Sequence, residues 1–200
     1  MAISAAQVKV LRDRTGVSMM DCKKALEESG GDIDKAIEYL RKKGAATVEK
    51  RADRVANQGV IEAYIHAGGR LGAMVEVNCE TDFVAKTPEF RALARDVAMQ
   101  VAAMNPMAIY RDQLDPKLVD KELEIYRTQA RNEGKPEQVM DRIANGRLEK
   151  YYQDVVLLEQ SFIKDAGKTI KDLLNEAAGK MGEKIVIRRY HRFHLGEDDA

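Results

Sequence analysis

The side chains best able to do chemistry in this sequence are few and scattered. Three histidines, His66, His191 and His194, are too far apart to suggest a ligand cluster. His191 and His194 lie three apart in a run that reads as a strand, so they face opposite sides and cannot readily share a metal. The two cysteines, Cys22 and Cys79, lack CxxC spacing. Cys22 reads as core. Cys79 is either packing beneath a turn or a tuned thiol. Glu80 and Asp82 offer two carboxylates, but no base or nucleophile accompanies them on their turn. No GxxxxGKS/T or GxGxxG phosphate loop is present. Gly68-Gly69 precedes a strand rather than a helix, so it lacks a phosphate-cradling context. These residues predict no enzyme site, no metal and no cofactor.

The residue that stands out is Phe83. It lies in Glu76-Val77-Asn78-Cys79-Glu80-Thr81-Asp82-Phe83-Val84-Ala85-Lys86, after an alternating run and before Thr87-Pro88-Glu89-Phe90. That context predicts a strand-to-helix turn. A large ring beside Asp82 in a polar turn either folds back into the core or is presented to a partner.

The elements around it follow from periodicity. Residues 4–43 read as three short helices. Val8 and Leu11 mark the first, which stops near Thr15-Gly16. Ser18-Met19-Met20-Asp21 resembles a capping box for the second, whose inner face is Cys22, Ala25 and Leu26. Asp32 caps the third, with Ile33, Ala36, Ile37 and Leu40 at helical spacing and Gly44 as its stop. Met19 and Met20 cannot both point inward easily, and an exposed Met is adaptable contact surface. Residues 45–58 read as a linker with a helical part, so the bundle is expected to move relative to the core domain.

Val60–His66 and Leu71–Val77 are strands joined by Ala67-Gly68-Gly69-Arg70. Thr87 caps the next helix and Pro88 takes its first position, with Phe90, Leu93, Ala94, Val97, Ala98 and Val101 inward; Asn105-Pro106 ends it. Residues 115–162 read as a helical insertion in which two charged helices, starting at Pro116 and Pro136, form a protruding hairpin. Gly146 is placed to perturb the second. Leu157–Phe162 reads as a return to the core, and Thr169–Lys180 as another helix. Lys184–Leu195 reads as a last strand, with Tyr190, Phe193 and Leu195 expected on one side. It completes a three-stranded antiparallel sheet. Residues 196–200 read as a frayed tail. The predicted class is α+β, with a three-helix domain at 1–44, a linker at 45–58 and a core domain at 59–200.

The 200 residues hold 33 Lys+Arg and 33 Asp+Glu, a net charge of zero, which disfavours a general nucleic-acid binder. Two cysteines make no disulfide framework and fit a reducing compartment. The start, Met1-Ala2-Ile3-Ser4, has no signal-peptide character, and no apolar run approaches a membrane span. A cytoplasmic location is expected, with no membrane and no direct nucleic-acid binding.

Two stretches then narrow the function. Leu11-Arg12-Asp13-Arg14-Thr15-Gly16-Val17-Ser18-Met19-Met20-Asp21-Cys22-Lys23-Lys24-Ala25-Leu26 resembles the N-terminal signature of the elongation factor Ts family. Glu76 to Lys86 resembles its second signature, built around Thr81-Asp82-Phe83-Val84. Order and separation match, and the likeness includes Leu157–Phe162 and the Arg188-Arg189-Tyr190 strand. The resemblance is to short bacterial members, with one core module where longer ones have a divergent pair. It implies a ubiquitin-associated-like three-helix domain, an α+β core with a helical protrusion, and guanine-nucleotide exchange on elongation factor Tu during protein biosynthesis. It further implies that Thr81, Asp82, Phe83 and Val84 enter the partner's GTPase domain, with Phe83 wedging between helices near the Mg²⁺ and phosphate site. Val17, Met19, Met20 and Lys23 match the contact region that grips another helix of that domain. A homodimer in a two-plus-two complex is implied by the short form, with the last strand a candidate for the contact.

Three other readings have discriminating features. A ubiquitin-associated-like adaptor would need only the bundle, and leaves the Thr-Asp-Phe-Val turn unexplained. An RNA binder would use Arg188, Arg189 and Arg192. An enzyme would use Cys79 as nucleophile.

Overall fold

The architecture is α+β, and the computed structural model describes residues 3–197, with side chains at all of them except 45 and 47–49. The chain begins with α1 (Ala5–Thr15), α2 (Met19–Glu28) and α3 (Ile33–Lys50). They pack around Val8, Leu11, Cys22, Ala25, Leu26, Ala36 and Leu40, where helical spacing places one inner stripe. Each start is set locally. Ser4 and Gln7 form a reciprocal capping box, with the Gln7 amide donating to Ser4 Oγ at 3.2 Å and the Ser4 amide to Gln7 Oε1 at 3.0 Å. Ser18 Oγ accepts from the Asp21 amide at 3.2 Å. The Asp21 carboxylate instead takes the Ser18 hydroxyl at 2.7 Å and Lys43 Nζ at 2.6 Å, so the shorter Asp makes only half of a box. Asp32 Oδ1 accepts from the Asp34 and Lys35 amides, both at 3.0 Å.

Gly44 does not stop α3, which runs on to Lys50. A single mid-helix glycine costs about 1 kcal/mol, and the residues after it favour helix. The segment beyond is also tied down. Arg51 Nη1 donates to the Ala178 carbonyl at 3.1 Å, Lys184 Nζ to the Arg54 carbonyl at 2.9 Å, and Asn78 Nδ2 to the Ala56 carbonyl at 3.2 Å.

The sheet consists of β1 (Gln58–Ile65), β2 (Leu71–Cys79) and, far along the chain, β5 (Val186–His194), in the order β1-β2-β5 and antiparallel. Gly68 and Gly69 take φ of 91° and 66° in the hairpin turn, a region that glycine reaches without steric cost. After β2 come α4 (Asp82–Ala85) and α5 (Pro88–Met104), then α6 (Pro116–Asn132) and α7 (Glu137–Val155), a small hairpin of β3 (Ser161–Phe162) and β4 (Asp165–Thr169), and α8 (Ile170–Met181) before β5. The β3–β4 pair had no sequence signal: Asp165, Gly167 and Lys168 break any apolar alternation.

The expected grouping of Tyr190, Phe193 and Leu195 is wrong. Tyr190 and Arg192 are partly buried, while Phe193 and Leu195 are exposed. A strand repeats every two residues, so positions 190 and 193 must face opposite ways. The Tyr190 hydroxyl donates to the Pro106 carbonyl at 2.7 Å, and Arg192 Nε to the Ala102 carbonyl at 3.1 Å. Glu197 of the expected tail accepts from Arg192 at 2.7 Å; residues 198–200 of that tail lie outside the described residues.

By its contacts the chain forms two compact units. One comprises Met1–Ile61, Glu76–Ala94 and Asp172–Arg188; the other comprises Glu62–Val75, Arg95–Lys171 and Arg189–Ala200. In the second unit α6 and α7 pack as an antiparallel pair, and α7 passes through Gly146 unbroken. Buried Ala130, Ala144 and Leu148 line the seam, and Arg147–Glu133 and Arg127–Asp141 pairs, each at 2.8 Å, cross it. At the base Arg111 pairs with Glu149 and Glu159, and its guanidinium lies 4.2 Å from the Tyr152 ring centre. The return to the core is polar. Buried Gln100 donates to Gln160 Oε1 and to the Ser161 carbonyl, both at 3.1 Å, and accepts from the Ile163 amide at 3.0 Å.

Candidate functional site

The Phe83 turn is built from the end of a buried strand. Val75, Val77 and Cys79 of β2 are all buried, which fixes the point where the chain emerges. Thr81 is extended, with φ −126° and ψ 154°, and its Oγ caps α4 by accepting from the Val84 amide at 3.4 Å. Thr87 Oγ takes the Phe90 amide at 3.2 Å and starts α5 at once. Ala85 is buried and Val84 half-buried, so the short helix has one anchored side. The other side carries Asp82 and Phe83. The Phe83 ring is 81% exposed, the largest value among the exposed large hydrophobic residues described.

Bonds from distant residues hold this exposed turn. Glu183 Oε2 accepts from the Glu80 and Thr81 amides, each at 3.0 Å, and Glu183 Oε1 accepts from the Thr81 hydroxyl at 2.5 Å. In return Glu80 Oε1 accepts from the Lys184 amide at 2.6 Å, and Arg54 Nη1 approaches both Glu80 oxygens at 3.4 Å. The Lys184 amide, with Arg54 behind it, holds the Glu80 carboxyl below the ordinary range. Lys86, bonded to Asp82 at 2.6 Å, does the same for the Asp82 carboxyl. The Cys79 thiol donates to the Thr81 carbonyl at 3.2 Å.

The second group of expected contact residues lies on the α1–α2 corner of the same unit. Val17 is half-buried against the bundle core, and the buried Cys22 thiol donates to its carbonyl at 3.5 Å. Met20 is 75% exposed and Met19 41%. Lys23 is exposed, 3.8 Å from Glu27 one turn on. The structure therefore gathers Thr81–Val84 on one turn and Val17, Met19, Met20 and Lys23 on one corner.

The family model described as Elongation factor TS matches residues 9–197. The chain belongs to the elongation factor Ts family. Proteins named Elongation factor Ts are similar to it over 195 residues, 98% of this chain: that of Moorella thermoacetica at 60% identity, covering 96% of its own length, and that of Desulforamulus reducens at 55%, covering 90%. One from a Thermoanaerobacter species is 57% identical over the same share of this chain and 96% of its own. The family places the chain among translation elongation factors.

For a member of that family, the residues sequence reasoning missed are Glu183, Lys184 and Arg54. No local signal marks them, since Glu183 meets Thr81 across 102 positions. The competing sites lose ground on geometry. Cys79 is buried, and burial with the nearby Glu183 charge pushes its thiol up, away from a reactive thiolate. Arg192 is spent internally on Ala102 and Glu197, which removes a cation from the RNA reading. Among the described residues no helix is long and apolar enough to cross a membrane.

Proposed function

We propose that this chain is the guanine-nucleotide exchange factor that releases GDP from elongation factor Tu, acting in the cytoplasm by inserting the Asp82–Phe83 turn near the partner's Mg²⁺ and phosphate site. The observation that carries the reading is the Phe83 ring, 81% exposed on a turn whose backbone is hydrogen-bonded on its inner side. The α1–α2 corner, with Val17, Met19, Met20 and Lys23, grips the same GTPase domain. Residues 1–44 serve as the gripping domain, 45–58 connect them to the core, and 115–162 are a helical insertion.

Exchange needs no bond-making group on this chain. It needs a surface that binds the partner better once nucleotide has left. The coupling is reciprocal: the factor by which this protein weakens GDP is the factor by which returning GDP weakens this protein. Burying one Phe is worth roughly 1.5–3 kcal/mol. That is about 10- to 150-fold in an equilibrium constant. A larger displacement requires the partner's Mg²⁺ to lose its near-octahedral oxygen ligands as well.

A homodimer in a two-plus-two complex belongs to the same reading. Ile65, Met74 and Phe193 are exposed on the strands of the second unit, and Leu195 just beyond the end of β5. The Leu195 amide donates to the Arg70 carbonyl at 2.8 Å, and the Ile65 side chain overlies Gly72, so these apolar residues share one face. A second copy packed on that face would cover them.

The test is to mix the protein with a bacterial elongation factor Tu loaded with fluorescent GDP and follow the signal in a stopped-flow instrument. A release rate that climbs with concentration to a plateau is expected. Release no faster than the partner's own would end the exchange reading.

A further inference from the structure

We infer that Glu183 is a positioning residue for exchange: its carboxylate, reaching from the α8–β5 junction, sets the angle at which the Phe83 turn leaves the sheet. The inference rests on the exchange reading above and adds a residue outside both contact groups. The geometry is a reciprocal clamp. Glu183 accepts three hydrogen bonds from Glu80 and Thr81, and Glu80 accepts the amide of Lys184, the residue next to Glu183. Each of two chain segments about one hundred positions apart thus satisfies the other's free backbone amides with a carboxylate. Both amides on the turn side belong to residues between β2 and α4, where no strand or helix partner is available to them.

The position of this clamp matters more than its strength. Thr81 is the cap of α4, and Phe83 is the second residue of that helix. A change in the Thr81 backbone therefore swings the ring directly. Glu183 is itself fixed, since Gly182 ends α8 with φ 76° and Ile185 and Ile187 beyond it are buried. Arg54, which approaches Glu80, and Lys184 Nζ, which donates to the Arg54 carbonyl, bring the segment after α3 into the same cluster. These bonds hold a loop that has little buried side-chain area of its own.

Reach, rather than charge, is what the clamp needs. A Gln side chain has the same length; its amide oxygen can take both backbone donors and its NH₂ can turn to the Thr81 hydroxyl. An Asp keeps the charge and falls short by one methylene. The experiment uses the full chain with Glu183→Ala, Glu183→Gln, Glu183→Asp and, as control, Phe83→Ala. One readout is amide hydrogen exchange at Glu80 and Thr81, which involves no partner. The other is GDP release from elongation factor Tu across a concentration series. For Glu183→Ala and Glu183→Asp the two amides should exchange at least about tenfold faster, and the plateau release rate should fall roughly 10- to 100-fold, as a misplaced reacting group does. The half-saturating concentration should stay within about threefold, because the α1–α2 corner is untouched. Glu183→Gln should keep both readouts close to the parent. Unchanged amide protection in Glu183→Ala and Glu183→Asp overturns the clamp, as does a plateau that Glu183→Gln lowers and Glu183→Asp does not. If Glu183→Ala fails to fold, the Gln and Asp pair still decides. If Phe83→Ala releases GDP at the parent's rate, the wedge falls, and amide exchange alone judges whether Glu183 holds the turn.

Discussion

Around Val17–Met20 the backbone is shaped by bonds that span two to five positions: Val17 to Thr15, Asp21 to Ser18, Cys22 to Val17. Around Thr81 the short cap to Val84 is joined by bonds that span 102 to 104 positions. The backbone of the corner between α1 and α2 is therefore shaped mainly by its own neighbours in sequence, with Lys43 of α3 adding a bond to Asp21. The turn at Phe83 acquires its shape only when the α8–β5 junction has arrived. On the proposed roles, local caps suit the contact surface, since modest misorientation of a Met costs little, whereas a wedge would have to be aimed, and aiming requires anchors on elements that are already fixed. The difference predicts that the two surfaces fail in different ways, one in affinity and one in rate.

The largest effect belongs to the ring itself. Phe83→Ala should slow saturating GDP release by about 10- to 150-fold, the range that burial of one Phe supports. Circular dichroism and Tm should not move, because the ring supports nothing within its own chain. A variant that releases GDP at the parent's rate would erase the contrast between the surfaces. Next comes the corner. Met20→Ala combined with Lys23→Ala should raise the half-saturating concentration about tenfold while leaving the plateau within about twofold. Stopped-flow titration reads both, and a lowered plateau at parent-like half-saturation would reverse the assignment of roles.

The smallest effect sharpens the comparison through pH. The folded Glu80 carboxyl is held below its ordinary value by the Lys184 amide. A depressed folded pKa contributes stability that is fully present above the unfolded value, about 4.3 for Glu, and is lost as pH falls through the folded value. Glu80→Gln should therefore lower Tm by about 2–4 °C at pH 7, which corresponds to about 1 kcal/mol for a partly exposed charge in a protein of this size. The gap should begin to narrow as pH falls below about 4.3 and keep narrowing as pH passes through the lower folded value. Thermal scans at several pH values check this. A gap that stays undiminished down to the lowest pH at which both proteins remain folded would mean that Glu80 acts through packing rather than through its charge.

Much of the fold was legible because its determinants are short-ranged. Asp32, Thr87 and Asp115 each cap the helix that follows them, and Gly68-Gly69 turns the hairpin, through bonds two or three positions long. Phe90, Val97 and Val101 were inward by spacing alone, and all three are buried. Two failures have equally definite causes. Gly44 looked like a stop, but one glycine costs less than the helix around it gains. Tyr190, Phe193 and Leu195 looked like one face of an alternating run, but 190 and 193 are an odd number of positions apart, and strand parity puts them on opposite sides.

By itself the sequence determined the bundle, the hairpin and the Thr81–Lys86 motif, since helix caps, apolar period and turn glycines act between neighbours in the chain. It also marked Phe83 as out of place, without saying which way the ring points. Only the tertiary structure decided that the ring faces outward, that Cys79 lies beneath the turn, and that Glu183 and Lys184 meet Glu80 and Thr81. Those contacts join residues brought together by the closing of a three-stranded sheet whose last strand comes more than one hundred positions after the second. No local pattern encodes them, because a carboxylate that satisfies a remote amide looks, in sequence, like any other surface charge.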